Sequence, residues 1–153
     1  MAGNLAFAPD SRTLATGSTD GTARLWDADT GEPRATLTGH TRSLTALASA
    51  LDSRTLATGS YDQTARLWDV DTGKPRTVLT GHFEVVAAVA FSPDSSTLAT
   101  ASHDNTARLW NVTLPSPHEA VAHICRGVRR DLTHSERATY LQGRETDPVC
   151  GST

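Results

Sequence analysis

Histidine, serine and aspartate come together twice in this chain, as His40, Ser60 and Asp62 and again as His82, Ser102 and Asp104. Such a trio can carry out nucleophilic acyl transfer. Serine attacks, histidine takes its proton, and aspartate orients the ring. Two observations weigh against that chemistry. No nucleophile elbow of the form Gly-x-Ser-x-Gly occurs. Each trio also repeats at the same offset from a tryptophan, Trp68 or Trp110, which suits a structural motif better than a single reactive centre. His118, His123, Cys125, His134 and Cys150 carry metal-ligand side chains near the end of the chain. Their spacing matches no paired zinc pattern, and they read as surface groups. Cys125 and Cys150 either pair or sit apart as small apolar residues. The expectation is therefore no catalytic residue, no metal and no cofactor.

A period explains the recurrence. The three tryptophans, Trp26, Trp68 and Trp110, are spaced by 42 residues. Asp20, Asp62 and Asp104 follow the same spacing, as do Arg24, Arg66 and Arg108 and Leu14, Leu56 and Leu98. Gly39-His40 returns as Gly81-His82. A fixed repeat of this length means a solenoid, a propeller or an array.

Each unit reads as β-structure. In the second, the runs are Arg42 to Ala50, Thr55 to Ser60, Thr64 to Asp69 and Pro75 to Thr80. Turn residues divide them: Leu51-Asp52-Ser53, Tyr61-Asp62-Gln63 and Asp71-Thr72-Gly73-Lys74. In the first unit Asp20-Gly21 marks a tight hairpin. One face of such a unit carries small apolar residues and the other Trp and Leu. Both need cover, so units must stack on one another.

Gly-His, Ser-x-Asp and Trp-Asp within one period resemble the WD-repeat family of β-propellers. The second unit has all three, with Gly39-His40, Ser60, Asp62 and Trp68-Asp69. The third replaces the last Asp with Asn111, and the first has Ser18, Asp20 and Trp26-Asp27 but no Gly-His. The resemblance implies an all-β fold, a partial propeller of about three four-stranded blades over residues 1–112, with units about 1–38, 39–80 and 81–112. It also implies a relay in each blade from Trp to Ser to His to Asp. Those residues are Trp68, Ser60, His40 and Asp62, then Trp110, Ser102, His82 and Asp104, with Ser18, Asp20 and Trp26 in the first unit. Propellers of this kind dock proteins at a rim. Thr19, Tyr61 and His103, before each turn Asp, and Arg42 and Glu84, after the Gly-His positions, are expected there.

The units depart from the pattern in three places. The first lacks its outer strand and capping Gly-His. The second has Ser49-Ala50-Leu51-Asp52 where the others have Phe7-Ala8-Pro9-Asp10 and Phe91-Ser92-Pro93-Asp94, and so should pack less well at its base. The third is not followed by the Pro-Arg-x-x-Leu run found at Pro33 to Leu37 and Pro75 to Leu79. Three blades fall short of the four to eight that close a ring. Either copies assemble into a ring, or the chain is the C-terminal piece of a longer protein.

Residues 113–117 read as a linker and 118–153 as a short helical tail. Val121, Ile124, Cys125 and Val128 recur at helical spacing. Thr133 and Glu136 form a capping box for a second helix to about Leu141. The tail resembles the C-terminal segment of multi-repeat WD proteins of actinobacteria in Ile124-Cys125, Leu132-Thr133, Glu136, Tyr140-Leu141 and Cys150. Arg137 stands where that family usually has Trp. Such arrays often follow a kinase or a nucleotide-binding switch, so a C-terminal sensor of a larger signalling protein is the alternative to a free-standing scaffold.

The chain has 153 residues, 37% of them hydrophobic and 20% charged, which is ordinary for one globular domain. No run of about 18 apolar residues occurs, so no membrane span is expected. The net charge of −3 gives no electrostatic reason for nucleic acid as a partner. Two cysteines make no disulfide framework, and the cytoplasm is the expected compartment. The expected function is a non-enzymatic scaffold with a protein partner.

Overall fold

Residues 4–113 are described by a computed structural model of the chain. They form eleven strands in three antiparallel sheets. The first sheet holds β1 (Asn4–Phe7), β2 (Thr13–Gly17), β3 (Ala23–Asp27) and β4 (Pro33–Leu37) in that order. The second holds β5 (Leu44–Ser49), β6 (Thr55–Ser60), β7 (Ala65–Asp69) and β8 (Pro75–Leu79). The third holds β9 (Val86–Phe91), β10 (Thr97–Ser102) and β11 (Ala107–Asn111). The two helices predicted after residue 117, Cys125 and Cys150, and the histidines His118, His123 and His134 lie outside the described residues.

One expectation about strand content is corrected: the first unit does carry an outer strand, β4. The third sheet has three strands among the described residues, in keeping with the missing Pro-Arg-x-x-Leu run.

The outer strand is held by an arginine that follows its opening proline. Arg76 donates from Nη2 and Nε to Asp69 Oδ2 at 2.5 and 3.2 Å, and from Nη1 to Thr55 Oγ1 at 2.8 Å. Arg34 repeats this in the first sheet, reaching Thr13 Oγ1 at 2.8 Å and Asp27 at 3.5 Å. A planar guanidinium can serve a carboxylate and a hydroxyl at once, and so closes the hairpin over two strands. In the third repeat Asn111 replaces the aspartate, and its Oδ1 accepts from Thr113 N instead.

Turn chemistry also follows the period. Ser11, Ser53 and Ser95 all adopt positive φ, at 60, 56 and 57°. The aspartate before each takes up a free backbone N–H: Asp10 from Arg12, Asp52 from Arg54 and Asp94 from Ser96. In the hairpin turn, Gly21 at +84° is matched by Gln63 at +71° and Asn105 at +63°.

The expectation that the second blade packs less well is reversed. Its strand β6 is buried along its whole length, and Ala50 in the substituted segment is buried too. Position decides this, because of the three sheets among the described residues only the second has another of them on each side. Ala15, Ala23, Leu25 and Leu37 of the first sheet pack on Leu44, Leu56 and Trp68 of the second. Ala57 and Leu67 of the second pack on Leu98, Val89, Phe91 and Trp110 of the third. Full burial of each such Leu is worth about 1.5–3 kcal/mol. Meanwhile Phe7, one of the residues whose loss was expected to matter, is exposed in the first blade.

Gly59 sets how close the second and third sheets come. A Cβ there would lie 3.0 Å from Val86 Cγ1 and 3.1 Å from the Val86 carbonyl oxygen. Polar bonds also cross between sheets. Leu44 N donates to Ser18 O at 3.1 Å, Asp10 N to Ser53 Oγ at 3.1 Å, and Leu51 N to Ser95 Oγ at 2.8 Å.

Candidate functional site: a hydrogen-bonded rim

Each turn between the second and third strands of a blade lies beside the segment that leads into a first strand. Tyr61 N donates to Ser43 O at 3.0 Å, and His103 N to Val85 O at 2.9 Å. Ser43 Oγ donates to Thr19 O at 2.8 Å, joining the first blade's turn to the second blade. A Cβ on Gly21 would come within 3.0 Å of the His40 and Arg42 carbonyl oxygens, so that turn sits directly on the His40–Arg42 segment. The three turns and the two lead-in segments therefore belong to one end of the molecule.

An aspartate in each complete repeat locks this end. Asp62 Oδ2 accepts from His40 Nδ1 at 2.8 Å and from Thr41 N at 3.1 Å. Asp62 Oδ1 accepts from Thr64 N at 3.0 Å and Thr64 Oγ1 at 2.6 Å. One carboxylate thus fixes both the turn and the segment above it. Asp104 does the same with His82 Nδ1 at 2.8 Å, Phe83 N at 3.1 Å and Thr106. In the first blade Asp20 holds only its own turn, through Thr22.

From the histidine the chain of bonds runs inward, through threonine and not serine. Trp68 Nε1–H donates to Thr58 Oγ1 at 2.9 Å, and His40 Nε2 lies 2.8 Å from the same oxygen. Trp110, Thr100 and His82 repeat it at 2.9 and 2.8 Å. Trp26 reaches Thr16 at 2.8 Å. Ser60, Ser102 and Ser18 are not links between tryptophan and histidine, which corrects the expected relay. Ser60 Oγ instead bonds the carbonyls of Arg42 and Ser43 and accepts from Asp62 N. Ser102 bonds Glu84 O and Asp104 N, and Ser18 accepts from Asp20 N.

Tautomer and charge follow from this order. The indole donates to Thr58, and the imidazole Nδ1–H faces a carboxylate. Burial favours the neutral imidazole, and with its one N–H on Nδ1 facing Asp62, His40 Nε2 accepts from the Thr58 hydroxyl. Burial is the largest influence and pushes its pKa below the usual 6.5. The hydrogen bond to Asp62 and that residue's charge pull upward, and Arg66 pushes down. Burial works to raise the Asp62 carboxyl, but donation from Thr64, His40 and Thr41 outweighs it and holds the pKa below 3.8. Asp69, facing Arg76, is held down at about 2.

The sign of the pH dependence follows. Below pH 6.5 the unfolded chain protonates the histidine that the folded chain keeps neutral. Stability is therefore complete above 6.5 and declines as pH drops below it. The Asp69 contribution is lost separately, between 3.8 and about 2. We expect the melting temperature to be level from pH 8 to 6.5 and to fall below that. His40→Gln should melt lower throughout but lose the slope just below 6.5. Equal slopes in the two proteins would contradict this account.

All five residues expected at the rim, Thr19, Arg42, Tyr61, Glu84 and His103, are exposed at this end. One neighbour was not anticipated. Phe83 follows His82 directly, its N–H is pinned by Asp104, and its side chain is 76% exposed. The signal was a large apolar residue in a lead-in segment where the preceding repeat has Thr41. Among the described residues, Arg24, Arg66 and Arg108 form no salt bridge. The Arg66 guanidinium lies against Gly39, where a Cβ would meet Nη1 at 2.6 Å, and Arg108 lies similarly against Gly81. Among the described residues, no group of three or more His, Cys, Asp or Glu side chains is arranged to hold a metal ion.

The family model for the WD domain, G-beta repeat, matches residues 3–27, 31–69 and 73–111. The chain belongs to the WD40 repeat family. Ribosome assembly protein 4 of Chaetomium thermophilum (strain DSM 1495 / CBS 144.50 / IMI 039719) is 61% identical over 36 residues. That stretch is 23% of this chain and 7% of the relative. It is shorter than the 42-residue period.

Proposed function

We propose that this WD40 chain is a non-enzymatic protein-binding module that docks its partner on the rim around Tyr61 and Phe83. The observation that carries the reading is two exposed aromatic rings on backbone fixed by hydrogen bonds, with Arg42 in the same end of the molecule. Aromatic and arginine side chains dominate protein interfaces, and a rigid mount lowers the entropy cost of using them. Glu84, Thr19 and His103 supply a polar surround.

The same geometry argues against hydrolysis. Ser60 bonds main-chain carbonyls and not His40, and Thr58, the hydroxyl that does meet His40, is fully buried beneath Trp68. No substrate carbonyl reaches it. The relative's name, a ribosome assembly protein, fits a role in binding other proteins. A chain with two cysteines suits a reducing cytoplasm. The reading as a C-terminal sensor of an actinobacterial-type signalling protein draws on the tail, which lies outside the described residues.

Tyr61→Ala with Phe83→Ala tests the proposal. Both side chains are exposed, so the melting temperature should stay within a few degrees of the parent. The proteins retained from cell lysate by the immobilised chain, identified by mass spectrometry, should lose at least one member about tenfold or more, the scale of one interface anchor. An unchanged set overturns the rim as the docking site.

A further inference from the structure

The rim repeats its backbone from the second blade to the third and inverts its charge. In the second blade the lead-in segment is held at three successive residues. Thr41 N donates to Asp62 Oδ2 at 3.1 Å, Arg42 O accepts from Ser60 Oγ at 3.0 Å, and Ser43 O accepts from Tyr61 N at 3.0 Å. One period on, Phe83 N donates to Asp104 Oδ2 at 3.1 Å, Glu84 O accepts from Ser102 Oγ at 3.1 Å, and Val85 O accepts from His103 N at 2.9 Å. Arg42 and Glu84 therefore leave equivalent points of the same hydrogen-bonded frame, in two blades that pack on each other. Both are exposed. Among the described residues neither makes a salt bridge, with the other or with a third group.

The other charges near this end follow the period and so do not blur the contrast. Asp62 and Asp104 occupy one repeat position, and Arg66 and Arg108 another. Each pair contributes alike to the two blades. With histidine neutral, the Arg42 and Glu84 position is where the formal charge of the two frames differs. Each charge also has an exposed aromatic ring in its own blade, Tyr61 beside the cation and Phe83 beside the anion. The rim thus runs from a cationic half to an anionic half, with apolar surface in both.

Resting on the reading of this rim as the docking site, we infer that its partner presents a charge-polarised peptide segment. An Asp or Glu of the segment faces Arg42, a Lys or Arg faces Glu84, and apolar side chains between them cover Tyr61 and Phe83. The aromatic contacts supply affinity, and the opposed charges fix the orientation. A uniformly acidic segment sets like charge against Glu84, and a uniformly basic one sets it against Arg42. Either is disfavoured, so the Arg42 and Glu84 pair determines specificity.

Three capped peptides test this on the full chain, each with the same Leu-Trp-Leu centre. The first has Glu-Glu at one end and Lys-Lys at the other, the second Glu-Glu at both ends, and the third Lys-Lys at both. Amide NMR titration at low ionic strength reads the affinity of each and the residues it touches. The parent should bind the dipolar peptide about three- to tenfold more tightly than either uniform one, the scale of exposed charge pairs, with shifts at Tyr61 and Phe83. Arg42→Glu should move the preference to the basic peptide, and Glu84→Arg to the acidic one. Both changes together should return it to the dipolar peptide at unchanged net charge. Equal affinities, no binding of the dipolar peptide, or a preference that Arg42→Glu leaves in place would overturn the inference. If the peptides fail while Tyr61→Ala with Phe83→Ala still strips lysate partners, the rim stands as the docking site and only the charge-polarised partner falls. If that double variant keeps every partner, both readings fall.

Discussion

Thr58→Val should destabilise the protein by about 2–6 kcal/mol, since it leaves two buried groups unsatisfied at about 1–3 kcal/mol each. The groups are Trp68 Nε1–H and His40 Nε2, both bonded only through the Thr58 hydroxyl on that side. Valine keeps the volume and the strand preference, so the loss reports the hydroxyl. Ser60→Ala should cost about 1 kcal/mol, because what it removes are bonds to main-chain groups at the turn, two of them carbonyls. Urea or thermal melts of the two variants give the comparison. A larger loss for Ser60→Ala would restore serine to the relay and remove threonine. In a Trp68→Phe background Thr58→Val should cost less than in the parent, since one of its two partners is already gone.

The second large effect sets one residue of the repeat against itself. Leu25→Ala should cost about 2–5 kcal/mol, the usual range for deleting a buried leucine. Leu67→Ala, in an equivalent setting, should do the same. Leu109→Ala, whose side chain is 77% exposed, should stay within about 0.5 kcal/mol of the parent, as exposed substitutions do. The three leucines share their register in the repeat, Leu25 opposite Ala15, Leu67 opposite Ala57 and Leu109 opposite Ala99. Any difference among them therefore measures the neighbouring sheet and nothing in the local sequence. Equal losses at all three sites would mean that the third blade's outer face is covered.

The period made the fold legible, since strands, turns and stacking follow once Trp26, Trp68 and Trp110 are seen to be equally spaced. The relay was legible only to the level of which blade it occupies. Thr16, Thr58 and Thr100 recur with the same spacing as Ser18, Ser60 and Ser102, so periodicity cannot choose between them. Register can. Trp68 lies opposite Leu56, and Thr58 is the next residue along on that face. Ser60 is two steps further, at roughly 13 Å along the strand, beyond an indole's reach. Burial of the second blade was misread for a related reason. Ser49 in place of Phe is a local loss, whereas the burial of β6 comes from sheets contributed by residues a full period away. Phe83 was passed over because it breaks the period and so left no pattern to notice.

The burial of β6 on both sides has a consequence for how the molecule comes apart. A sheet with one neighbour can peel away by giving up a single junction, whereas the second sheet must give up two. Loss of structure therefore enters from the first and third sheets and reaches β6 last. The amides of Ala57, Thr58 and Gly59 accordingly exchange with solvent deuterium only when the whole described unit opens. The rim at Tyr61 is rooted in that slowest strand, so the surface offered to a partner outlives the fraying of the blades on either side of it.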